Sequence, residues 1–509
     1  MSAPTYDLGT LHGGLRLPGH KSASTGQAII DVPVPAQLVL PITQHVGDPS
    51  QPVVGIGERV LKGQLIAESD GTLSAPVHAP SSGKIIAIEP WPVSRRYGEN
   101  APCIVIECDG KDEAVLPADM PGNTPANFTT LAPADLLTKI LQGGIVGLGG
   151  AAFPTAQKLM QARTCKIDHL LLNGVECESY ISCDDLLMRE RAGEIVNGAQ
   201  ILMHALQIDV CFIAIESDKP EAIRALALVL GEINDERIVI KQVPTIYPSG
   251  GEDQLVQLVT NREVPSGGLP SDVGCLVQNV GTAAAIHDWV VDNQPLISRV
   301  TTITGDGVAS PVNVRARIGT TISDIIELAG GYTDSAKQLI IGGPMTGKSV
   351  TTDRVPLVKA TNCILVSSET PSPGPALPCI RCGDCAAVCP VQLLPQQLFW
   401  YACADDEDKM REFGLMDCIE CGCCDLVCPS HIPLTADFRV AKGRIQELAD
   451  EKARAARARQ RFEARSNRLE REQTERETEL AQQKASAKKA GPSAIAEILK
   501  RKQTSKDDE

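Results

Sequence analysis

The sequence predicts a multidomain chain of α/β and α+β type, closing with a two-cluster iron–sulfur segment and a long charged helix. Three observations predict it. Two copies of one cysteine spacing stand at residues 379–428, apolar runs alternate with helix-like stretches from about residue 133 to 290, and Ile445–Ala490 holds no Gly, no Pro and one aromatic residue, Phe462. At 509 residues the chain is also too long for a single core, because cores stop growing near roughly 250–300 residues.

Composition narrows the class. With 43 % hydrophobic and 22 % charged residues the chain reads as an ordinary soluble protein, and it has no apolar run of the ~20 residues a bilayer span needs. Met1–Thr10 lacks a basic stretch followed by an apolar one, so no secretory signal is expected. A formal charge of −15 argues against a nucleic-acid partner. Of the 18 cysteines, eight fall in the two tight clusters and the rest are scattered singly. Disulfide frameworks belong to small secreted domains, so a reducing compartment is expected.

Along the chain, residues 30–110 are rich in Val, Ile, Pro and Gly, a pattern of short strands and turns. Gly55–Ala67 followed by Ser74–Ile85 resembles the barrel-sandwich of lipoyl and biotinyl domains, but the expected hairpin tip, Ser69-Asp-Gly-Thr72, lacks the acceptor lysine. A structural module without a swinging arm is therefore expected over residues 1–125. Strand-like runs at His169–Leu172, Cys211–Ile215 and Ile238–Val243 are separated by helix-like stretches at Asp184–Leu206 and Glu221–Leu230. That alternation predicts a largely parallel sheet over residues 126–298. Residues 299–367 read as a small α+β unit, and their Thr304-Gly-Asp-Gly307 and Gly330-Gly331 turns resemble the soluble-ligand-binding β-grasp domain. Residues 368–378, with four prolines, are a linker. The cluster domain is placed at 379–440, with helical content near Leu393–Cys403, and a charged helical tail at 441–509. In that tail Asp450/Arg454 and Glu472/Arg476 stand at helical spacing, and Ile495, Ile498 and Leu499 form a short apolar stripe after Gly491-Pro492.

Cys379-x2-Cys382-x2-Cys385-x3-Cys389-Pro390 recurs as Cys418-x2-Cys421-x2-Cys424-x3-Cys428-Pro429. In this spacing three thiolates wrap one cubane and the fourth, before proline, ligates the other cluster. Cys379, Cys382, Cys385 and Cys428 are therefore expected to hold one [4Fe–4S] cluster, and Cys418, Cys421, Cys424 and Cys389 the second. A zinc site uses paired Cys-x2-Cys and has no need of the third and fourth cysteines. Cys423, between ligands, reads as a spare thiol facing the cluster shell.

An electron relay needs a source. Gly147-Leu-Gly-Gly-Ala-Ala152 satisfies G-x-G-x-x-A, yet Pro133–Leu141 before it reads as a helix where the dinucleotide fingerprint requires a strand. A different glycine loop is expected, its amides at the start of the helix Thr155–Met160 holding a phosphate with Lys158 adding a positive charge.

Gly147-Leu-Gly-Gly-Ala-Ala-Phe-Pro-Thr-x-x-Lys158 resembles the flavin loop of the NADH-binding subunit of respiratory complex I. Asn173-Gly-Val-Glu-Cys-Glu178, Ser249-Gly-Gly-Glu-Asp253 and Gln278-Asn279-Val280 resemble three further segments of that family, in the same order. With the front barrel, the β-grasp unit and two cluster motifs, residues 5–440 resemble the RnfC family of the Rnf ion-translocating electron-transport complexes. The resemblance implies FMN bound by Gly147, Gly149, Gly150, Lys158, Asn173 and Asn279, and NADH stacked on it beside Glu176, Glu178 and Glu252. Val175, Asp253 and Ala152 depart from the complex I pattern, which has an acid, a glutamate and a glycine there. Glu176 and Glu178 also read as acids that are merely exposed or cap a helix.

The implied activity is that of an NADH:ferredoxin-type oxidoreductase subunit, oxidising NADH or reducing NAD+ through FMN and two [4Fe–4S] clusters. Its implied partners are the membrane and ferredoxin-like subunits of the complex, with ferredoxin reached indirectly, and its implied place is peripheral, on the cytoplasmic face of the inner (plasma) membrane. A soluble NADH-dependent cobalamin reductase and a non-catalytic electron-relay scaffold are the alternatives. The long charged tail favours the complex over the first, and the two intact cluster motifs with Lys158 speak against the second.

Overall fold

Uninterrupted runs of apolar, β-branched residues make poor surface strands and good central ones. Cys211–Ile215 is an apolar run of this kind, and the strand Cys211–Glu216 that contains it is buried at all six positions. The computed structural model describes residues 8–71, 73–94, 100–116, 127–369, 374–489, 491 and 496–500. In it, Cys211–Glu216 sits inside a four-stranded sheet between Ile238–Val243 and His169–Gly174, with Cys275–Asn279 on the far side of the latter. All three pairings are parallel. In chain order the strands lie 3-2-1-4, so the order reverses between His169–Gly174 and Cys275–Asn279. Ligands of open α/β sheets bind at the carboxyl ends of the strands at such a reversal.

The helices that cover this sheet follow the expected pattern with one break. The stretch expected as a single helix over Asp184–Leu206 is two, Cys183–Glu190 and Ala192–Leu206, interrupted at Arg191 with φ −129° and ψ 37°. The Arg191 guanidinium donates to both carboxylate oxygens of Asp288 (3.1 and 2.5 Å) and to Glu194 (3.2 Å), contacts that local propensity does not encode. Ala192–Leu206 packs along Val280–Val290, and a Cβ on Gly198 would stand 2.0 Å from the Ala283 carbonyl oxygen.

The front module is built from two small antiparallel sheets. Gln37–Pro41, Asn100–Cys108, Gly83–Pro92 and Arg59–Val60 form one; Gln51–Pro52, Leu65–Glu68 and Val77–His78 form the other. Leu38, Leu40, Ile66, Ile85, Ile104 and Ile106 fill the space between with no exposure. At the expected tip Asp70 accepts from Gln51 (3.1 Å), while Thr72 lies outside the described residues. The third sheet has six strands in the order Ile30–Asp31, Val312–Arg317, Ser298–Thr304, Cys363–Ser367, Gln338–Ile341, Lys348–Val350, with the helix Ile322–Leu328.

Residues 9–31, placed with the barrel from sequence, make their pairings elsewhere. Gly9 donates to Leu258 O, Gly14 to Val388 O, Leu15 pairs with Tyr247, Tyr180 donates to Gly19 O, and Ile30–Asp31 runs parallel to Val314–Arg315. This thread therefore touches the α/β sheet, the cluster segment and the six-stranded sheet in turn.

The cluster segment carries short helices at Asp384–Ala387, Pro395–Cys403, Glu407–Glu412 and Cys423–Leu426. Part of the proline linker, residues 370–373, lies outside the described residues. The final helix, Leu434–Lys489, begins eleven residues before the expected start. From Arg439 onward the described residues form a unit of their own, with surface pairs such as Arg459–Glu463 (2.9 Å) and Arg468–Glu472 (3.8 Å) along the helix. Ile498 and Leu499 are exposed, and Ile495 is outside the described residues. Among the described residues, no helix is long and apolar enough to cross a membrane.

Two of the helix glycines, Gly198 and Gly231, give a matched test of the packing. Gly198→Ala must push Ala283 away, an overpacking that costs about 1–3 kcal/mol, whereas a Cβ on Gly231 meets nothing within 4 Å. Gly231→Ala should hold or raise the melting temperature through helix propensity, and Gly198→Ala should lower it. Equal effects in thermal unfolding would contradict the close helix approach.

Candidate functional site

At the reversal of the sheet, Asn173 and Asn279 stand opposite each other in register, each near the carboxyl end of its strand. Both side chains hold neighbouring loops in place. Asn173 Nδ2 donates to Gly250 O (2.9 Å), and its Oδ1 accepts from Val175 N (3.1 Å). Asn279 caps the helix Val280–Val290 by accepting from Gly281 N (2.8 Å), and its Nδ2 donates to Asp184 Oδ2 (2.6 Å).

The glycine loop approaches from the side. The helix Pro133–Gln142 precedes it and Thr155–Ala162 follows, so the helix-before-loop order read from sequence is the observed one. Gly147 closes the loop on itself: its N–H donates to Phe153 O (2.8 Å) and its carbonyl accepts from Ala152 N (3.1 Å). Leu148 is held from behind, its N–H by Thr282 Oγ1 (3.0 Å) and its carbonyl by Arg299 Nη2 (2.9 Å). Gly149 and Gly150 then face a cavity of about 790 Å³. Gly150 has φ +108°, and a Cβ there would meet no protein atom within 4 Å. Ala152, where the complex I pattern has glycine, is buried with φ +50°, a left-handed conformation costing roughly 1–2 kcal/mol for a residue with a Cβ.

The cavity gathers most of the residues singled out from sequence. Gly149, Gly150, Asn173, Glu176, Glu178, Glu252 and Asn279 line it; Gly147 and Lys158 do not. The first turn of Thr155–Ala162 does not face it either: the wall is residues 149–151. Lys158 Nζ instead donates to Glu252 Oε1 (2.6 Å) and Val277 O (2.7 Å), which fixes Glu252 at the start of the helix Glu252–Thr260.

Glu176 and Glu178 are both engaged. Glu176, at φ +50°, accepts from the backbone N–H groups of Asp184 (2.7 Å) and Asp185 (3.2 Å), so it caps the helix Cys183–Glu190. Glu178 accepts from Met345 N (2.8 Å), Thr346 N (2.9 Å) and Thr346 Oγ1 (2.7 Å) and thereby ties the cavity floor to the β-grasp loop.

Sequence reasoning missed Asp184. It lines the cavity, and burial, then the neighbouring Glu176 carboxylate, push its pKa up to about 7 against the opposing pull of Asn279, Arg299 and Lys21. No spacing rule marks it. Its position follows from the cap that Glu176 makes across the loop.

One edge of the cavity is the second cysteine motif. Ile419 and Cys421 line it, and Tyr247 Oη, also in the wall, donates to Cys421 O (2.7 Å). Farther into the cluster segment, Cys379, Cys382, Cys385 and Cys428 surround one small space together with Ile380, Phe399, Ile432 and Leu434. The Cys389 thiol, raised by burial, feels the Cys421 thiol of the other motif. Cys423 is buried, and its thiol interacts with Cys421, Cys424 and Cys389.

These surroundings suit the implied groups. The cavity falls within the roughly 300–1,000 Å³ of small-molecule sites, and the missing Cβ atoms at 149–150 leave backbone open to it, as a phosphate-bearing ring system needs. Thiolates in an apolar shell are the ligand set of iron–sulfur clusters.

Comparison with known proteins agrees along the chain. Residues 9–111 match the RnfC barrel sandwich hybrid domain, 140–288 the Nuo51 FMN-binding domain, 300–349 the SLBB domain and 378–432 a 4Fe-4S dicluster domain. The chain thus contains an FMN-binding domain and a dicluster domain. It is 48 % identical to the C subunit of an ion-translocating oxidoreductase complex of Pseudomonas aeruginosa over 92 % of its own length and 60 % of that protein's. The same-named protein of Vibrio cholerae is 43 % identical, with 96 % and 63 % covered. That of Haemophilus influenzae is 44 % identical, with 91 % and 68 % covered. The chain therefore spans about 60 % of the length of the first of these relatives. A solved NAD+-reducing [NiFe]-hydrogenase in the H2-reduced state is similar at 18 % identity and a TM-score of 0.44, over 63 % of this chain and 61 % of that one. By identity and coverage, the chain belongs to the RnfC family, the C subunits of ion-translocating oxidoreductase complexes.

Proposed function

We propose that the chain exchanges electrons between NADH and two [4Fe–4S] clusters by way of FMN, as a peripheral subunit on the cytoplasmic face of a membrane-bound ion-translocating complex. Its partners would be the membrane and ferredoxin-like subunits, which couple the electron flow to ion movement and reach ferredoxin indirectly. The observation that carries the reading is that one cavity has the glycine loop on one wall and Cys421 on another. FMN supplies the conversion of a two-electron hydride into single electrons. Nothing else in the reading needs a long route, because the backbone of a cluster-ligand loop borders the same space.

The residues divide the work. The amides of 149–151 and the Asn279 cap would offer polar backbone to FMN, and Asn173 holds the Gly250 loop in the cavity wall. Glu252, paired with Lys158 yet with its side chain 43 % exposed, is the acid that would also meet NADH. Glu178 keeps the β-grasp loop closed over the site. Lys158 acts through Glu252 and the strand carbonyl as well as through its charge. For the clusters, the space shared by Cys379, Cys382, Cys385 and Cys428 supports the crossed ligand set; Cys418, Cys421, Cys424 and Cys389 would hold the second cluster, with Cys421 in the cavity wall.

Three measurements test this. Lys158→Glu should release flavin while iron content stays at wild-type level; stoichiometric flavin in that variant would remove Lys158 from the site. In NADH–ferricyanide assays Glu252→Gln should raise the KM for NADH about tenfold, the loss expected for one hydrogen bond to a charged group. An unchanged KM would show that the nicotinamide binds elsewhere. For the ligand sets, low-temperature EPR of reduced Cys428→Ala should match Cys382→Ala, with the Cys418–Cys421–Cys424 cluster intact. A match to Cys421→Ala would assign each block of four to its own cubane.

A further inference from the structure

We propose that Asp184 is the carboxyl through which protons leave the flavin cavity, passing into an arginine-lined cleft on its other side. The inference rests on reading the cavity as the NADH–FMN site. When NADH becomes NAD+, two electrons and one proton must depart, while a second proton, borrowed from water as the cofactor is reduced, must be returned. The clusters take the electrons singly and bind no protons. A base that reaches both the cavity and a way out is therefore needed.

Among the described residues, Asp184 alone lines both the cavity and the cleft. The cleft is walled by Arg191, Asp288, Arg299 and Arg317, together with the more exposed Arg315. The other cavity acids have fixed duties: Glu176 caps a helix, Glu178 holds the 345–346 backbone, and Glu252 pairs with Lys158. Asp253 lines the cavity but not the cleft. Asn279 Nδ2 grips Asp184 Oδ2 at 2.6 Å and holds the carboxyl in the partition.

The charged and titratable groups facing Asp184 come from every side. Glu176 stands on the loop after the first strand, Lys21 on the N-terminal thread, Arg299 on the β-grasp strand and Cys183 on its own helix; across the cleft lies the Arg191–Asp288 ion pair. Their balance with burial leaves a pKa near 7, matched to a relay working at neutral pH. In the step itself the Asp184 carboxylate would take the proton that the bound FMN gives up, forming its O–H bond as the flavin's N–H bond breaks. The electron pair passes to the clusters one electron at a time. The Asp184 O–H then breaks to a water in the cleft, which restores the carboxylate.

The test uses FMN- and iron-loaded wild type, Asp184→Asn and Asp184→Glu. In infrared titration the wild type should show a protonated-carboxyl stretch that disappears as pH rises through about 7, absent in Asp184→Asn. In stopped-flow runs, reoxidation of NADH-reduced flavin should quicken through the same pH range in wild type. In Asp184→Asn it should be at least tenfold slower and flat with pH, and Asp184→Glu should restore a pH-dependent limb. If Asp184→Asn fails to hold flavin, Asp184→Glu decides alone: a shifted midpoint supports the relay and an unshifted one overturns it. A carboxyl band that survives in Asp184→Asn, or a wild-type pH profile in that variant, also overturns it while the NADH–FMN reading stands. If NADH bleaches the flavin in none of the three proteins, that reading falls and the relay with it.

Discussion

The site depends on two buried cations behind the glycine loop. Lys359 is almost wholly enclosed and donates to Pro76 O (2.8 Å) in the barrel and Gly144 O (2.7 Å) at the start of the loop. Its own carbonyl accepts from Arg299, which also grips Leu148 O. Burial brings the Lys359 pKa down to about 7, and burial together with Lys359 holds the adjacent His78 at about 3. A buried ammonium is tolerated only when its hydrogen bonds are satisfied, so these carbonyls and the cation fix one another. Barrel, α/β sheet and β-grasp strand meet at that point. The barrel's contribution is thus to position Gly144, which gives a lipoyl-like module without an acceptor lysine a reason to be present.

A second consequence concerns how the acids are spent. Carboxylates near a site that must receive an anionic cofactor would repel it. Here Glu176 faces backbone N–H groups at a helix start and Glu178 faces two further amides and a hydroxyl. Each negative charge is neutralised locally by peptide dipoles. Glu252 is neutralised by Lys158. The acidity of the sequence in this region is therefore largely internal wiring.

What could be read from sequence was what is local. The expected cluster ligands follow from spacing because three of the four thiolates of each cubane lie within one short segment and the fourth stands at a fixed step before a proline in the other motif. The parallel strands were readable because a buried strand such as Cys211–Glu216 is apolar over its first five residues, and the glycine loop because its helix-first context differs from a dinucleotide fingerprint. The rest is non-local. The break at Arg191 depends on Asp288, 97 residues away; the role of Glu178 depends on Thr346, 168 away; and the strand at Ile30–Asp31 depends on Arg315, 284 away. None of these pairings leaves a periodic trace. Asp184 was invisible for the same reason, since its neighbours are brought by four different elements.

The N-terminal thread sets an order of events during synthesis. Residues 9–31 are made before the partners they pair with, and Gly14 finds its own only at Val388 and Ile30–Asp31 only at Val314–Arg315. At about 5–20 residues per second, the 374 residues between Gly14 and Val388 take roughly 20–75 s to appear. Over that interval the thread's partners arrive in turn, Tyr180 for Gly19, Tyr247 for Leu15, Leu258 for Gly9 and Val314–Arg315 for Ile30–Asp31, and the last of these pairings, Gly14 with Val388, comes with the first cysteine motif. Closure of the flavin-bearing body is thereby tied in time to the segment that receives iron and sulfide.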